Sequence, residues 1–228
     1  MSIAPNPMII AVLGGTGKEG KGLAYRWAKA GYRVLIGSRN PEKARATAIA
    51  LTELIDGKTI IEGTGNLTAA QRADIVALAV PYVVHRETLE LVKDALKGKI
   101  LIDVTVPLVP PIVTKVQMPP AGSAALEACD ILGEEVQVTS AFQNISYEQL
   151  LQDGPLDCDV LVTGTSKKAR SETLKLVAAA GLSGWDAGPI ENSIVAEALT
   201  SVLIGINKRY GSISAGIRIT GVQAPSRE

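Results

Sequence analysis

The stretch Val12-Leu-Gly-Gly-Thr-Gly-Lys-Glu-Gly-Lys-Gly22 constrains this chain more than any other. The apolar run Met8 to Leu13 reads as a buried strand, and Gly15-Thr16-Gly17-Lys18-Glu19-Gly20 then fits the G-x-G-x-x-G loop that joins a strand to a helix. In that context Gly15 permits the tight turn, Gly17 lets the backbone approach a pyrophosphate, and Gly20 allows close helix–strand packing. The helix N-terminus adds free N–H groups and a partial positive charge. The pattern predicts a dinucleotide site on an α/β fold.

The second strand, Arg33 to Gly37, indicates which dinucleotide. A site for NAD ends this strand in Asp or Glu, whose carboxylate accepts from the ribose hydroxyls and repels a 2′-phosphate. Here the position reads Ser38-Arg39, with Lys43 in the first turn of the next helix. A guanidinium grips a phosphate and stacks on adenine, and Ser38 adds a short hydrogen bond. Asn40 is placed to cap that helix and Pro41 to open it. NADP(H) is the expected cofactor.

Lys plus Arg and Asp plus Glu number 23 each, so no overall field draws the chain to nucleic acid or to an anionic membrane. Cys129 and Cys158 lack metal-ligand spacing and read as two reduced thiols, and no metal site is expected. The opening Met-Ser-Ile-Ala-Pro-Asn-Pro is too short and polar for a signal peptide, and no apolar run has membrane-spanning length, so the expected compartment is the cytoplasm. Short β-branched runs recur at Thr59 to Gly63, Ile75 to Val80, Ile100 to Val104, Val136 to Ala141 and Val160 to Thr163, with helical periodicity between most of them. That alternation is the pattern of an α/β parallel sheet. The last helix, after Gly188-Pro189, carries a broad apolar stripe through Ile190, Ile194, Val195, Ala198, Leu199, Val202, Leu203 and Ile206. A stripe that wide suits burial on two sides, either by a partner subunit or by the rest of the same domain.

Catalytic groups are sparse. Tyr25-Arg-Trp-Ala-Lys29 has a Tyr-x-x-x-Lys spacing, but it follows the phosphate loop directly and is not placed to donate a proton. His85, the only histidine, follows a strand end where cofactors lie and is either a catalytic group or, as preferred, a solvated first-turn residue, and Asp103 either contacts a ligand or caps its loop. No catalytic side chain is assigned. Reducing a carbonyl or imine calls for a proton donor beside the hydride acceptor. The candidate loops, Thr105 to Pro111, Pro120 to Ala125 and Ser140 to Ser146, are instead apolar, small or amide-bearing. They suit a flat, largely uncharged ring held against the nicotinamide.

Gly14-Gly-Thr-Gly17, Ser38-Arg39, the Val80-Pro81 strand end, Val104-Thr-Val-Pro-Leu-Val-Pro110, Gly122-Ser-Ala-Ala125, Ser140-Ala-Phe142 and Asp186-Ala-Gly-Pro-Ile-Glu-Asn-Ser193 resemble NADPH-dependent reductases of the deazaflavin coenzyme F420. Glu197-Ala-Leu-Thr200 and Ile206-Asn-Lys-Arg-Tyr210 continue the likeness over nearly the whole chain. The resemblance implies reversible hydride transfer between NADP(H) and coenzyme F420, both exchangeable, in a homodimer. It implies a Rossmann-type doubly wound parallel sheet over residues 7–143 and a smaller C-terminal portion, 144–228, that completes the deazaflavin pocket. It places Thr16, Lys18 and Glu19 by the pyrophosphate, Ser38, Arg39 and Lys43 at the 2′-phosphate, and Val80 and Pro81 beside the cofactor. Ala141, Gln143 and Ile145 fall to the deazaflavin site, where relatives carry His at the Gln143 position. Two other readings compete: an NADPH-dependent reductase of another small substrate, and a nonenzymatic NADP(H)-binding redox sensor marked by a large exposed apolar patch without a second ligand pocket.

Overall fold

Strand β1 (Ile9–Leu13) is buried along almost its whole length, as expected of a strand covered on both faces. The computed structural model describes residues 8–55, 61–154 and 156–223. The other strands are β2 (Arg33–Ser38), β3 (Ile61–Gly65), β4 (Ile75–Leu78), β5 (Ile100–Asp103), β6 (Gln137–Ser140), β7 (Asp159–Gly164) and β8 (Ser183–Asp186). They form one eight-stranded sheet in the order β3-β2-β1-β4-β5-β6-β7-β8. Pairing is parallel throughout except between β6 and β7, which run antiparallel through Thr139–Gly164 and Ser140–Thr163. The parallel expectation therefore holds across the first six strands and from β7 to β8, and fails at one joint. Thr59 and Ile60 of the expected third strand lie outside the described residues.

Helices are α1 (Lys18–Lys29), α2 (Pro41–Leu54), α3 (Asn66–Arg72), α4 (His85–Leu96), α5 (Ala124–Leu132), α6 (Tyr147–Leu150), α7 (Lys167–Ala179) and α8 (Ser193–Tyr210). Alternation along the strands divides the core. Ile10, Val12, Val34 and Ile36 face Leu23 and Trp27 of α1, Leu51 of α2 and Leu176 of α7. Ala11, Leu13 and Leu35 face Ala69 of α3, Leu89 and Val92 of α4 and Ile131 of α5. This two-faced cover is the doubly wound arrangement. Its strand order reverses between β1 and β4, which opens a crevice at the carboxyl ends of those strands.

The second half is tied to the first by α1. Arg26 is buried and donates to the carbonyls of Leu150 (2.8 Å) and Gly154 (2.9 Å), which pins the α6 segment. Tyr25 donates to Asp153 at 2.8 Å, and Lys29 also pairs with that carboxylate. The Tyr-x-x-x-Lys spacing is thus a structural clamp.

Within this chain helix α8 buries only part of the stripe its sequence displays. Its buried side is Ser193, Ala196, Glu197, Ser201 and Leu203, whereas Ile194, Val195, Val202, Ile206 and Tyr210 are exposed. The fixed point is Glu197, whose carboxylate accepts from the N–H groups of Ala124 (2.7 Å) and Ala125 (3.1 Å) at the start of α5. Burial pushes this carboxyl up to about 8, against the pull of those donors. Glu197→Ala would leave both N–H groups buried without an acceptor, for a loss of about 3 kcal/mol in urea unfolding. Glu197→Gln, keeping one oxygen, should lose roughly half as much. A loss below about 1 kcal/mol for the alanine variant would show that the carboxyl does not hold the two helices together.

Candidate functional site

At the end of β1 the chain turns on Gly14, which has φ +76° and whose added Cβ would lie 2.5 Å from the Ala79 carbonyl oxygen. The left-handed turn is thus at Gly14, one residue before the Gly15 expected to make it. Gly15 is buried against Val12 and Ile36 and supports the loop from below. Gly20 has the role expected of it, since a side chain there would strike the Gly14 carbonyl at 2.8 Å. Thr16, Gly17, Lys18 and Glu19 lie in the loop and the first turn of α1.

No side chain caps α1, whereas Asn40, Ser123 and Ser166 accept from backbone N–H groups at the starts of α2, α5 and α7. The open N-terminus of α1 leaves its donors and its positive dipole end for an anion.

Two cavities meet at this loop. The first, about 470 Å³, is lined by Thr16, Ser38, Arg39, Asn40, Lys43 and Asn66 together with Val80 and Pro81. Ser38 accepts from the Asn40 N–H at 3.1 Å, and Asn40 caps α2 ahead of Pro41 as expected. Arg39 and Lys43 are exposed and form no ion pair among the described residues, so two cations stand free at the rim. Asn66, which the sequence did not single out, is buried with its Oδ1 unpartnered on this wall.

The second cavity, about 400 Å³, is largely apolar. Val80, Pro81, Val104, Val106, Leu108 and Ile145 supply much of its wall, with Gln143 and Thr105 as buried polar members. Gly17, Ala79, Val80 and Pro81 line both cavities, so the two adjoin at the β1–β4 crevice. Lys18 and Glu19, expected by the pyrophosphate, line the second cavity and not the first. Ala141 does not; it is fully buried beneath, with its N–H on the Asp103 carbonyl. Nor does the Pro120 to Ala125 loop, whose Ser123 instead caps α5 and whose Gly122 packs on Ile194. In their place come Tyr147, Ile204, Ile213 and Ala215, which the sequence did not mark, with Thr200 and Leu203, which it marked only as part of the family likeness and of the apolar stripe. Tyr147 sits at the mouth, 2.9 Å from the Lys18 Nζ, which also lies over its ring.

The segment carrying Gln143 and Ile145 is held unusually. Phe142 has φ +75°, a region that a bulky side chain rarely occupies, and its buried ring packs edge-to-face on Trp27 at 5.8 Å. The strained turn lets Phe142 anchor in the core while its neighbours line the cavity.

The electrostatics split between the two sides. Glu19 has a buried Oε1 with no partner, and burial pushes its carboxyl up to about 8. His85 is not the solvated residue its position suggested. It is fully buried, with Nε2 2.7 Å from Asp103, and Asp103 in turn accepts from the Thr105 N–H at 2.9 Å and so caps its own loop. Burial alone drives His85 down, but Asp103 and Glu127 outweigh it and hold the imidazole above the usual histidine range.

The family described as NADP oxidoreductase, coenzyme F420-dependent, matches residues 9–107. The F420-dependent NADP reductase of Methanocaldococcus jannaschii is 40% identical over 224 residues, covering 95% of this chain and 100% of the relative. The reductase of the same name from Methanothermobacter marburgensis is 40% identical over 94% of this chain and 99% of its own. Among solved structures, a candidate F420-dependent NADP reductase from Arthrobacter sp. FB24 superposes with a TM-score of 0.77 at 25% identity, over 92% of this chain and 98% of that one. By its identity to these relatives along nearly its full length, the chain belongs to the F420-dependent NADP reductase family.

Proposed function

We propose that this chain catalyses reversible hydride transfer between NADP(H) and coenzyme F420, each bound as an exchangeable substrate. The observation that carries this reading is the apolar cavity that adjoins the phosphate-loop cleft and shares Gly17, Ala79, Val80 and Pro81 with it. NADP(H) is assigned to the polar cleft. Gly15, Thr16, Gly17, Lys18 and Glu19 serve the pyrophosphate, Ser38, Arg39 and Lys43 the 2′-phosphate, and Val80 and Pro81 flank the nicotinamide. The deazaflavin ring is assigned to the apolar cavity, against Gln143 and Ile145, with Ala141 supporting that wall from below. Residues 7–143 form the dinucleotide-binding part, and 144–228 complete the second pocket.

The nicotinamide supplies the hydride and the deazaflavin carbon accepts it, so no side chain is needed to relay it. The protein's part is to hold the two rings in register with the reacting carbons about 3 to 3.5 Å apart and to keep water from between them. Mixing the purified protein with NADPH and coenzyme F420 should bleach the visible deazaflavin band. With NADPH deuterated at the transferred position, the label should appear in the reduced deazaflavin without washout, and simple aldehydes and imines should give no comparable turnover. Tight NADPH binding without any deazaflavin reduction would sink the enzyme reading in favour of a sensor.

Glu19 adds a pH dependence. Below about 8 its carboxyl is neutral and able to donate to a phosphate oxygen, and above that it is an anion facing an anion. NADPH affinity should therefore fall as pH rises through 8, and Glu19→Gln should flatten that fall in a titration series. An unchanged slope in the variant would remove Glu19 from the phosphate site.

The exposed apolar residues of α8 fit a homodimer interface built on Ile194, Val195, Val202 and Ile206. No helix among the described residues is long and apolar enough to cross a membrane, and the two free cysteines suit the reducing cytoplasm.

A further inference from the structure

Three of the buried polar side-chain atoms without a hydrogen-bond partner among the described residues belong to residues of the apolar cavity: Oε1 of Glu19 at its phosphate-loop end, and Oγ1 of Thr105 and Oε1 of Gln143, which share a support. An unpartnered buried polar group is costly, and in a ligand cavity its cost is removed when the ligand arrives. Both Thr105 and Gln143 are held by Asp103, at the end of β5. Its Oδ1 accepts from the Thr105 N–H at 2.9 Å, and its backbone carbonyl accepts from Gln143 Nε2 at 2.7 Å. A carbonyl only accepts, so it orients the amide: the NH2 of Gln143 turns inward, also reaching Ser140 Oγ at 2.8 Å, and Oε1 is left free.

Asp103 is itself held by His85, through Nε2 to Oδ2 at 2.7 Å, with both side chains fully buried. On its other side His85 Nδ1 lies 3.7 Å from Glu127, whose carboxylate accepts from Tyr82 at 2.6 Å and meets Arg86 at 3.3 Å. The imidazole thus joins α4, α5 and the end of β5 at one point, without lining either cavity.

We propose that His85 and Asp103 are a positioning pair that presents the Thr105 hydroxyl and the Gln143 amide oxygen, as adjacent donor and acceptor, to the heteroatom edge of the ring bound in the apolar cavity. The ring chemistry that matches is an alternating carbonyl and N–H edge, as in a pyrimidinedione, with Thr105 donating to the carbonyl and Gln143 accepting from the N–H. This rests on the deazaflavin reading above. Neither His85 nor Asp103 touches the ring, and neither takes part in the hydride step.

The test is a double-mutant cycle read by titrating coenzyme F420 onto the protein through its fluorescence, beside steady-state kinetics. Thr105→Val and Gln143→Leu should each weaken deazaflavin binding about tenfold, the size of one lost hydrogen bond. His85→Ala should raise the deazaflavin KM by at least about tenfold while kcat changes less and NADPH affinity stays put. In the His85→Ala background the Thr105→Val and Gln143→Leu losses should shrink, because the groups are already out of place. His85→Gln carries an N–H to the Nε2 position and should restore most of the affinity. Should His85→Ala fail to fold, His85→Gln, Thr105→Val and Gln143→Leu decide the matter through their effects on deazaflavin binding. Additive losses in the cycle, or a Gln variant as weak as a folded Ala variant, overturn the proposal. So do unchanged binding in Thr105→Val and Gln143→Leu, or, where the Ala variant does not fold, a Gln variant with lost NADPH affinity. Failure of the unaltered protein to bind the deazaflavin at all overturns the functional reading, and this proposal falls with it.

Discussion

Arg39→Ala is expected to weaken NADPH binding about ten- to a hundredfold and to leave NADH binding nearly unchanged, because a charge-assisted hydrogen bond contributes roughly 1.5 to 3 kcal/mol. Arg39 stands exposed at the rim of the polar cleft with no ion pair of its own among the described residues. Its removal thus strands no buried partner, and the loss reads the phosphate contact alone. Lys43, in the first turn of α2 where its own N–H is capped by Asn40, supplies the second charge and limits the damage. Titrations of both cofactors against both proteins check this, and equal losses for NADPH and NADH would remove Arg39 from the 2′-phosphate.

The largest effect on turnover is expected at Ile145. Its side chain, 8% exposed, forms part of the wall of a cavity of about 400 Å³, on the segment pinned by Phe142 and Trp27. That anchored backbone has little freedom to retreat, so Ile145→Trp should fill the slot instead of moving the wall. Deazaflavin reduction should fall by more than about a hundredfold in kcat/KM, since a ring displaced by an ångström leaves the near-attack geometry. NADPH affinity should hold, because Ile145 is absent from the polar cleft. Parallel loss of NADPH binding would mean that the two cavities are not the separate subsites assigned to them. Ala141, by contrast, is a poor position for such a test, because it lies in the core and a large residue there would disturb folding first.

The dinucleotide half was legible in the sequence because its determinants are local. A strand, a glycine-rich turn, a helix start and the residue closing the next strand lie within about thirty positions of one βαβ unit. Even the cap by Asn40 and the opening Pro41 obey rules that span a single helical turn. The shift of the left-handed turn from Gly15 to Gly14 marks the limit of such reading, for Gly14 packs against Ala79, just past the end of the neighbouring strand β4.

What the sequence alone determined, then, was the βαβ unit with its glycine-rich loop, the α/β class and the basic closure of β2, together with the family through motifs spread along the chain. Only the tertiary structure decided the rest, because it depends on pairings across long sequence separations. Strand β8, Ser183–Asp186, has little β-branched or apolar signature, and it is a strand only because β7 offers it an edge. His85 looked solvated since α4 shows nothing locally of Asp103 and Glu127, which close over it from β5 and α5. The apolar stripe of α8 left open whether its own domain or a partner would cover it, and Glu197 binding the start of α5 leaves Val195 and Val202 facing outward from this chain. A buried carboxyl that accepts from two backbone N–H groups fixes which side of α8 turns inward, and that choice cannot be made until the donors from residues 124 and 125 are in place.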